Sequence, residues 1–197
     1  MSHATVVESQ TAYTGAISLA DAKEQLRIGH SDLDTTLAIA LEAAVTFCED
    51  ASGVCLRESE GLTQSYSHWP RDPVRFDRQP VKSVDSIKYY TTASVLTTLA
   101  AGTDYRLQMS TRGGSLVWWE DNFTFPSLEE RPDAVVVSYT AGYDSGSGGF
   151  DSVPANGRIA ILLHLESAWG NLQPRQQAAA IKSRDSHLDL LRWGSYQ

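Results

Sequence analysis

The residues whose types could do chemistry are few and scattered. His68-Trp69-Pro70-Arg71-Asp72 sets a histidine near an aspartate, the pair a general base and its orienting carboxylate would use. Spacing alone supplies no geometry, and the stretch reads more simply as a turn between strands. His164 stands inside the apolar run Ile161 to Leu165, which suits a histidine packed in a core or an interface better than a ligand. Glu24, Asp32 and Asp34 offer hard oxygen ligands for a cation. Two of them also stand at helix starts, where the dipole favours an acid, so a solvated face explains them. Gly146, Gly148 and Gly149 follow a strand and precede a helix, as a phosphate cradle does. That loop has no lysine, and Pro154 removes an amide from the helix start; a flexible connector over 144–152 fits better. Trp118-Trp119 could stack on a sugar, although strand packing is the simpler use.

Cys48 and Cys55 are too few for a metal site. They read as small buried hydrophobes of a reducing cytoplasm, with a disulfide left open. The sequence contains no G-x-S-x-G, H-E-x-x-H, P-loop or dinucleotide-binding glycine pattern. No constellation supports catalysis, so the expectation is a non-enzyme with no cofactor or metal.

The elements that would position these residues come in three textures. Ser18-Leu19-Ala20-Asp21 is a helix start, with Ser18 as cap and Asp21 in the first turn. The first helix should run to about Ile28 and stop at Gly29-His30. Ser31-Asp32-Leu33-Asp34 repeats the signal. Leu33, Leu37, Leu41, Ala44, Val45 and Cys48 then recur at three- and four-residue spacing, which predicts a long amphipathic helix ending at Ser52-Gly53. Residues 1–16 show no apolar period and read as an arm.

From Leu56 to Tyr143 the chain turns β-rich. Strands are expected over Leu56–Ser67, Val74–Asp77, Val84–Tyr90, Tyr105–Gln108, Ser115–Trp119 and Ala134–Thr140, with turns at Arg78-Gln79-Pro80-Val81 and Arg112-Gly113-Gly114. Period-two alternation with one wet face suits antiparallel sheets. A last helix, Ala155–Gly170, carries Ile159, Leu162, Leu163 and Trp169 among other apolar residues that wrap nearly all round it. Such a helix is buried on every side. It must lie at the centre of a helical layer or pack against another subunit, so these four residues are the candidates for core or subunit packing. Beyond Pro174 comes an alanine-rich, helix-prone segment, then Leu188, Leu190, Leu191 and Trp193 at the end. Following a Pro break, this tail is expected to be loose in the free subunit and to order on a partner.

The expected fold class is α+β. Both chain ends, 17–55 and 153–197, build a helical domain with a C-terminal tail, and a small antiparallel β domain, 56–143, is inserted in it. At 197 residues a chain buries roughly 70 % of its unfolded surface. The net charge of −8 without a lysine or arginine cluster argues against wrapping nucleic acid, though not against a surface past which DNA slides. No apolar run approaches the ~20 residues of a membrane span, so no membrane role is expected. The start Met1-Ser2-His3-Ala4 shows no secretory signal.

The order of segments carries a resemblance. "LADAKEQLRI", "DLDTTLAIALEAAVTFCEDASG", "RQPVKSVDSIKYY", "DYRL", "VVVSYTAGY" and "VPANGRIAILLHLESAWGN" together resemble the phage head–tail connector, or head-completion adaptor, family, from about Leu19 to Asn171. The sequence departs from that pattern at Gln25, where the family often has His, in its longer Gly/Ser loop, and after Pro174. The resemblance implies a structural virion protein made in the bacterial host cytoplasm. Its copies, usually twelve, would form a ring under the portal, extend the DNA channel and seat the next neck or tail protein. It further implies that the tail docks on the portal, with Leu188, Leu191, Arg192 and Trp193 as anchors. The acids Glu24, Asp32, Asp34, Glu42 and Asp50 are candidates to face the channel, where negative charge repels phosphates and DNA passes without sequence-specific binding. The competing readings are another phage tail or binding module with a β-sandwich for carbohydrate or protein, and an enzyme whose site one sequence does not reveal.

Overall fold

In the computed structural model, residues 5–6, 9–10, 16–70, 73–108, 116–143, 153–169 and 172–192 are described. The chain is α+β, with helices from both chain ends and an antiparallel β region between them. It divides into two compact units, Met1–Gln10 with Ser59–Gly142 and Thr11–Glu58 with Tyr143–Gln197.

The β unit holds two antiparallel sheets. Strands β1 (Thr5–Val6) and β2 (Ser9–Gln10) pair with β3 (Ser59–Tyr66). β4 (Val74–Arg75), β7 (Tyr105–Gln108) and β8 (Leu116–Trp119) form the smaller sheet, with β8 central. The larger sheet runs β1-β3-β9-β5-β6, with β5 (Val81–Tyr90), β6 (Leu96–Thr98) and β9 (Val135–Ala141). β9 lies between β3 and β5 and buries Val135, Val137, Tyr139 and Ala141 at alternate positions. That alternation is what a strand with one core face requires. Two elements escape the sequence pattern. The arm expected over 1–16 instead adds β1 and β2 to the sheet edge, because main-chain pairing needs no apolar period. β6 is only three residues long, too short to show a period at all.

The helical unit contains α1 (Leu19–Leu26), α2 (Asp34–Ser52), α3 (Ala155–Trp169) and α4 (Pro174–Leu191). Ser18 and Asp21 form a reciprocal capping box at the start of α1. α1 ends not at Gly29 but at Arg27, which takes the left-handed conformation with φ 57° and donates its amide to the Glu24 carbonyl. Gly53, φ 72°, closes α2 as expected. Ser31-Asp32 does not cap α2; Leu33 occupies that position without a side-chain hydrogen bond.

The core of this unit gathers Leu37, Leu41, Val45 and Cys48 of α2, Leu56, and Ala160, Ile161 and Leu165 of α3. It also includes Leu188 and Leu191 of α4, which are 2 % and 8 % exposed. This corrects the expectation of a loose tail. The Pro174 break only separates two helices: Gln173–Pro174 starts α4 with a capping arrangement between Gln173 and Gln176, and a Pro in the first turn of a helix loses no intrahelical bond. Leu188 and Leu191, three residues apart, then fall on one face and meet the core. Gly157 makes the approach possible. A β-carbon there would come within 3.0 Å of both Leu56 and Val153 and 3.6 Å of Leu191.

Two outcomes are expected from chemical denaturation of the isolated chain. Leu188→Ala should lower stability by about 2–5 kcal/mol, the loss typical of a buried leucine. Gly157→Leu should lower it by about 1–3 kcal/mol through overpacking. A Leu188→Ala chain as stable as the parent would return the C-terminal segment to a partner-dependent role.

Candidate functional site

His68 is exposed, and its Nδ1 lies 2.9 Å from the Oγ of its neighbour Ser67. Arg71 and Asp72 lie outside the described residues, as do Gly146, Gly148, Gly149 and the whole 144–152 connector. Trp69 is built into an aromatic cluster with Tyr89, Trp119, Phe123 and Phe125, at ring separations of 5.3–5.7 Å. Its indole N–H donates to the Pro126 carbonyl at 2.8 Å, and that of Trp119 donates to the Pro70 carbonyl at 2.7 Å. These two rings are packing groups of the β unit. Trp118 is 41 % exposed and donates to Gln108 at 2.8 Å. A sugar platform would rest on that one ring. Among the described residues no group of three or more His, Cys, Asp or Glu side chains could hold a metal ion, and no helix is long and apolar enough to cross a membrane. Cys48 and Cys55 are buried, and burial pushes the Cys48 thiol up to about 12.

The polar centre of the helical unit is one that sequence reading missed. Glu49 is buried and takes the amides of Leu56 and Arg57 at 2.9 and 3.1 Å on one carboxylate oxygen. Its other oxygen takes the Arg57 Nε at 3.1 Å. Arg57 also donates to Glu42 and, at 2.9 Å, to Thr46. Burial raises the Glu49 carboxyl, with Arg57 and the two amides pulling it back down. Burial likewise works against the Arg57 charge, but Glu42 and Glu49 outweigh it and hold the guanidinium above its ordinary value. The group is a brace: every member is paired within it. A buried charge predicts its own partner only when both positions are known to be inside, and spacing does not show that.

A second polar contact joins α2, α3 and α4. The Phe47 and His164 rings stack at 4.1 Å and 13°. Arg184 lies 4.7 Å over the Phe47 ring and 3.0 Å from His164 Nδ1. Burial, then the Arg184 charge, lowers His164 below the ordinary imidazole value of 6.5, with Asp185 opposing. His164 is therefore a packed histidine that favours the neutral form.

The remaining candidates are surface positions. Ile159 is 40 % exposed, while Leu162, Leu163 and Trp169 are half-buried. α3 is thus not buried on every side within its own chain, since the other three helices leave one of its flanks open. Of the tail anchors, Leu188 and Leu191 are core residues. Arg192 is exposed and donates to the Ala51 carbonyl at 3.0 Å, and Trp193 lies outside the described residues. Of the acids, Glu24, Asp32 and Asp50 are exposed. Asp34 is paired with Lys23 at 2.7 Å, and Glu42 is tied to Arg57.

No family model and no curated protein matches the sequence. Solved structures match by fold. The chain aligns with one in the virion of a native gene transfer agent particle at TM-score 0.66 and 18 % identity, over 98 % of this chain and 97 % of that one. It aligns with one in the neck of the native gene transfer agent particle, computed with C12 symmetry, at TM-score 0.65 and 19 % identity, over 100 % and 98 %. A third, from the neck of the empty particle computed with C6 symmetry, gives TM-score 0.66 at 18 % identity, over 100 % and 98 %. The chain has the fold of these virion and neck chains, across both units.

Two measurements follow from the polar contacts. Glu49→Ala leaves Arg57 buried beside orphaned amides, and should cost about 3–5 kcal/mol in urea denaturation; a change under ~1 kcal/mol would deny the brace its role. For His164, a lowered folded value means the unfolded chain binds more protons, so its contribution is complete above pH 6.5 and is lost as pH falls below it. His164→Gln, which can still accept from Arg184, should flatten the fall in stability as pH drops below 6.5. An unchanged slope would exclude His164 as its source.

Proposed function

We propose that the chain is a structural protein of the neck of a phage-like particle, a head–tail adaptor. In this reading its copies form a ring under the portal, continue the DNA channel and seat the next neck or tail-completion protein. The observation that carries it is the end-to-end fold match to chains in virion and neck particles, which spans both units and nearly the whole of each chain. The ordered segments from Leu19 to Asn171 support the adaptor assignment independently of that match. The C12 and C6 symmetries of the matched necks support a ring, and twelve copies is the number we assign.

A neck ring asks for surfaces rather than a reaction centre. The Phe47–His164–Arg184 contact holds α2, α3 and α4 to one another, as a subunit that bears load would require. The net charge of −8 suits a lumen past which a phosphate backbone slides, since like charge removes the electrostatic attraction that dominates DNA affinity. Asp32 and Asp50 are the acids we assign to the channel, because they are exposed whereas Asp34 and Glu42 are half-buried. Arg192 and Trp193 remain the portal-facing candidates at the C-terminus.

Particles assembled without this protein should be filled heads that lack tails and leak DNA, seen directly by electron microscopy; normal tailed particles would exclude the adaptor role. Asp32→Lys with Asp50→Lys should slow DNA exit and make its rate more salt-dependent. Ejection kinetics identical to the parent would remove these two residues from the channel.

A further inference from the structure

The helical unit carries a groove that its own chain leaves open. It lies between α1 and α3, encloses about 710 Å³, and is lined by Leu26 on one wall and Ile159 and Leu162 on the other. Arg158 reaches Asp21 at 3.4 Å, and Gln25 donates to Glu166 at 2.9 Å, so two polar contacts tie α1 to α3 across it. Glu24, Glu166 and Arg27 stand on the rim, where Asp21 and Arg158 neutralise each other. The apolar lining is the flank of α3 that its own helices do not cover.

A surface of opposite character lies on α4. Arg175, Ala178, Ile181 and Lys182 are exposed. At three- and four-residue spacing they form one stripe. The four residues include two cations; the acid next along this face, Asp185, is paired with its neighbour Arg184 at 2.6 Å, and Ala178 allows a close approach. It cannot fill the groove of its own chain. Arg184 meets His164, His187 meets Asn156, and Leu191 lies near Gly157, so the other side of α4 faces α3 and the stripe points away from it.

We propose that the α4 stripe of one copy docks in the α1–α3 groove of the next. This rests on the ring reading above and names the contact that would repeat around the ring. Charge selects the occupant: two cations meet a rim where Glu24 and Glu166 are set against Arg27 alone, and Ala178 and Ile181 meet Leu26, Ile159 and Leu162. The contact is heterologous, because a stripe with two cations does not fit itself, and a head-to-tail contact forms a ring when the rotation between neighbours closes. It assigns Glu24 to the contact between copies rather than to the channel.

The test is made on assembled particles. Arg175→Glu with Lys182→Glu reverses the stripe; Glu24→Lys with Glu166→Lys reverses the groove. Each variant alone meets like charge with like, and its incorporation into necks should fall on the order of tenfold to hundredfold. Supplied together they should incorporate again, since each reversed surface now finds its complement on the other chain. Equal melting temperatures confirm that the variants fold. A chain carrying both Ile159→Cys and Ala178→Cys gives an independent readout: oxidation with copper phenanthroline should yield a ladder of disulfide-linked multimers from the neck. Unimpaired single variants, or necks that contain the doubly substituted chain but give no ladder, overturn the contact and leave the neck assignment standing. Particles in which the unaltered chain is absent from the neck overturn both.

Discussion

The contact on which the helical unit turns is the buried pair of Glu49 and Arg57. One carboxylate takes two main-chain amides and the guanidinium together. Those amides belong to Leu56 and Arg57, so the bond sets the path of the chain just after α2 ends at Gly53. That path inserts Leu56 into the core beside Gly157 of α3. Burying two charges is expensive, and the geometry offsets the expense only when every lone pair and N–H is used. Here Glu42 and Thr46 take the two remaining nitrogens of the guanidinium. The brace places the chain as much as it stabilises it, and no apolar contact would specify that path as narrowly.

The apolar helix α3 depends on the same arrangement. Ile161 and Leu165 complete the core, and Gly157 admits Leu56, Val153 and Leu191 at close range. Its remaining apolar flank, at Ile159 and Leu162, is only partly covered. For a solitary domain such a flank is a liability, because exposed apolar surface favours association. For a subunit of a ring it is an interface in waiting. The stack of Phe47 on His164 and the Arg184 contact hold α4 at the other side of α3, leaving the flank open.

The β unit is organised differently. Its larger sheet is centred on β9, whose alternate residues are fully buried, and its aromatic cluster ties Trp69 to Trp119, Phe123 and Phe125. Ring edges and faces at 5–6 Å each contribute about 0.5–1.5 kcal/mol beyond their buried area, so Trp119, half of what looks like a binding platform in sequence, serves as packing.

The fold class was legible from sequence because its signals are local. Ser18 with Asp21 starts α1, Gly53 closes α2, and the period of two marks β9; each depends on backbone geometry within a few residues. The strength of α3 as an apolar helix was equally plain. Its degree of burial was not, because that depends on how many neighbours surround it. Nor was the fate of the C-terminal segment: Pro174 looks like a break, yet α4 returns to bury Leu188 and Leu191, and only a core with space on that side could decide it. The arm that became β1 and β2 was silent because main-chain pairing leaves no side-chain pattern. Glu49 and Arg57 were invisible for the deepest reason. In sequence they are two charged residues among forty, ordinary surface groups, and only the tertiary fold withdraws both from water and thereby forces them to bond.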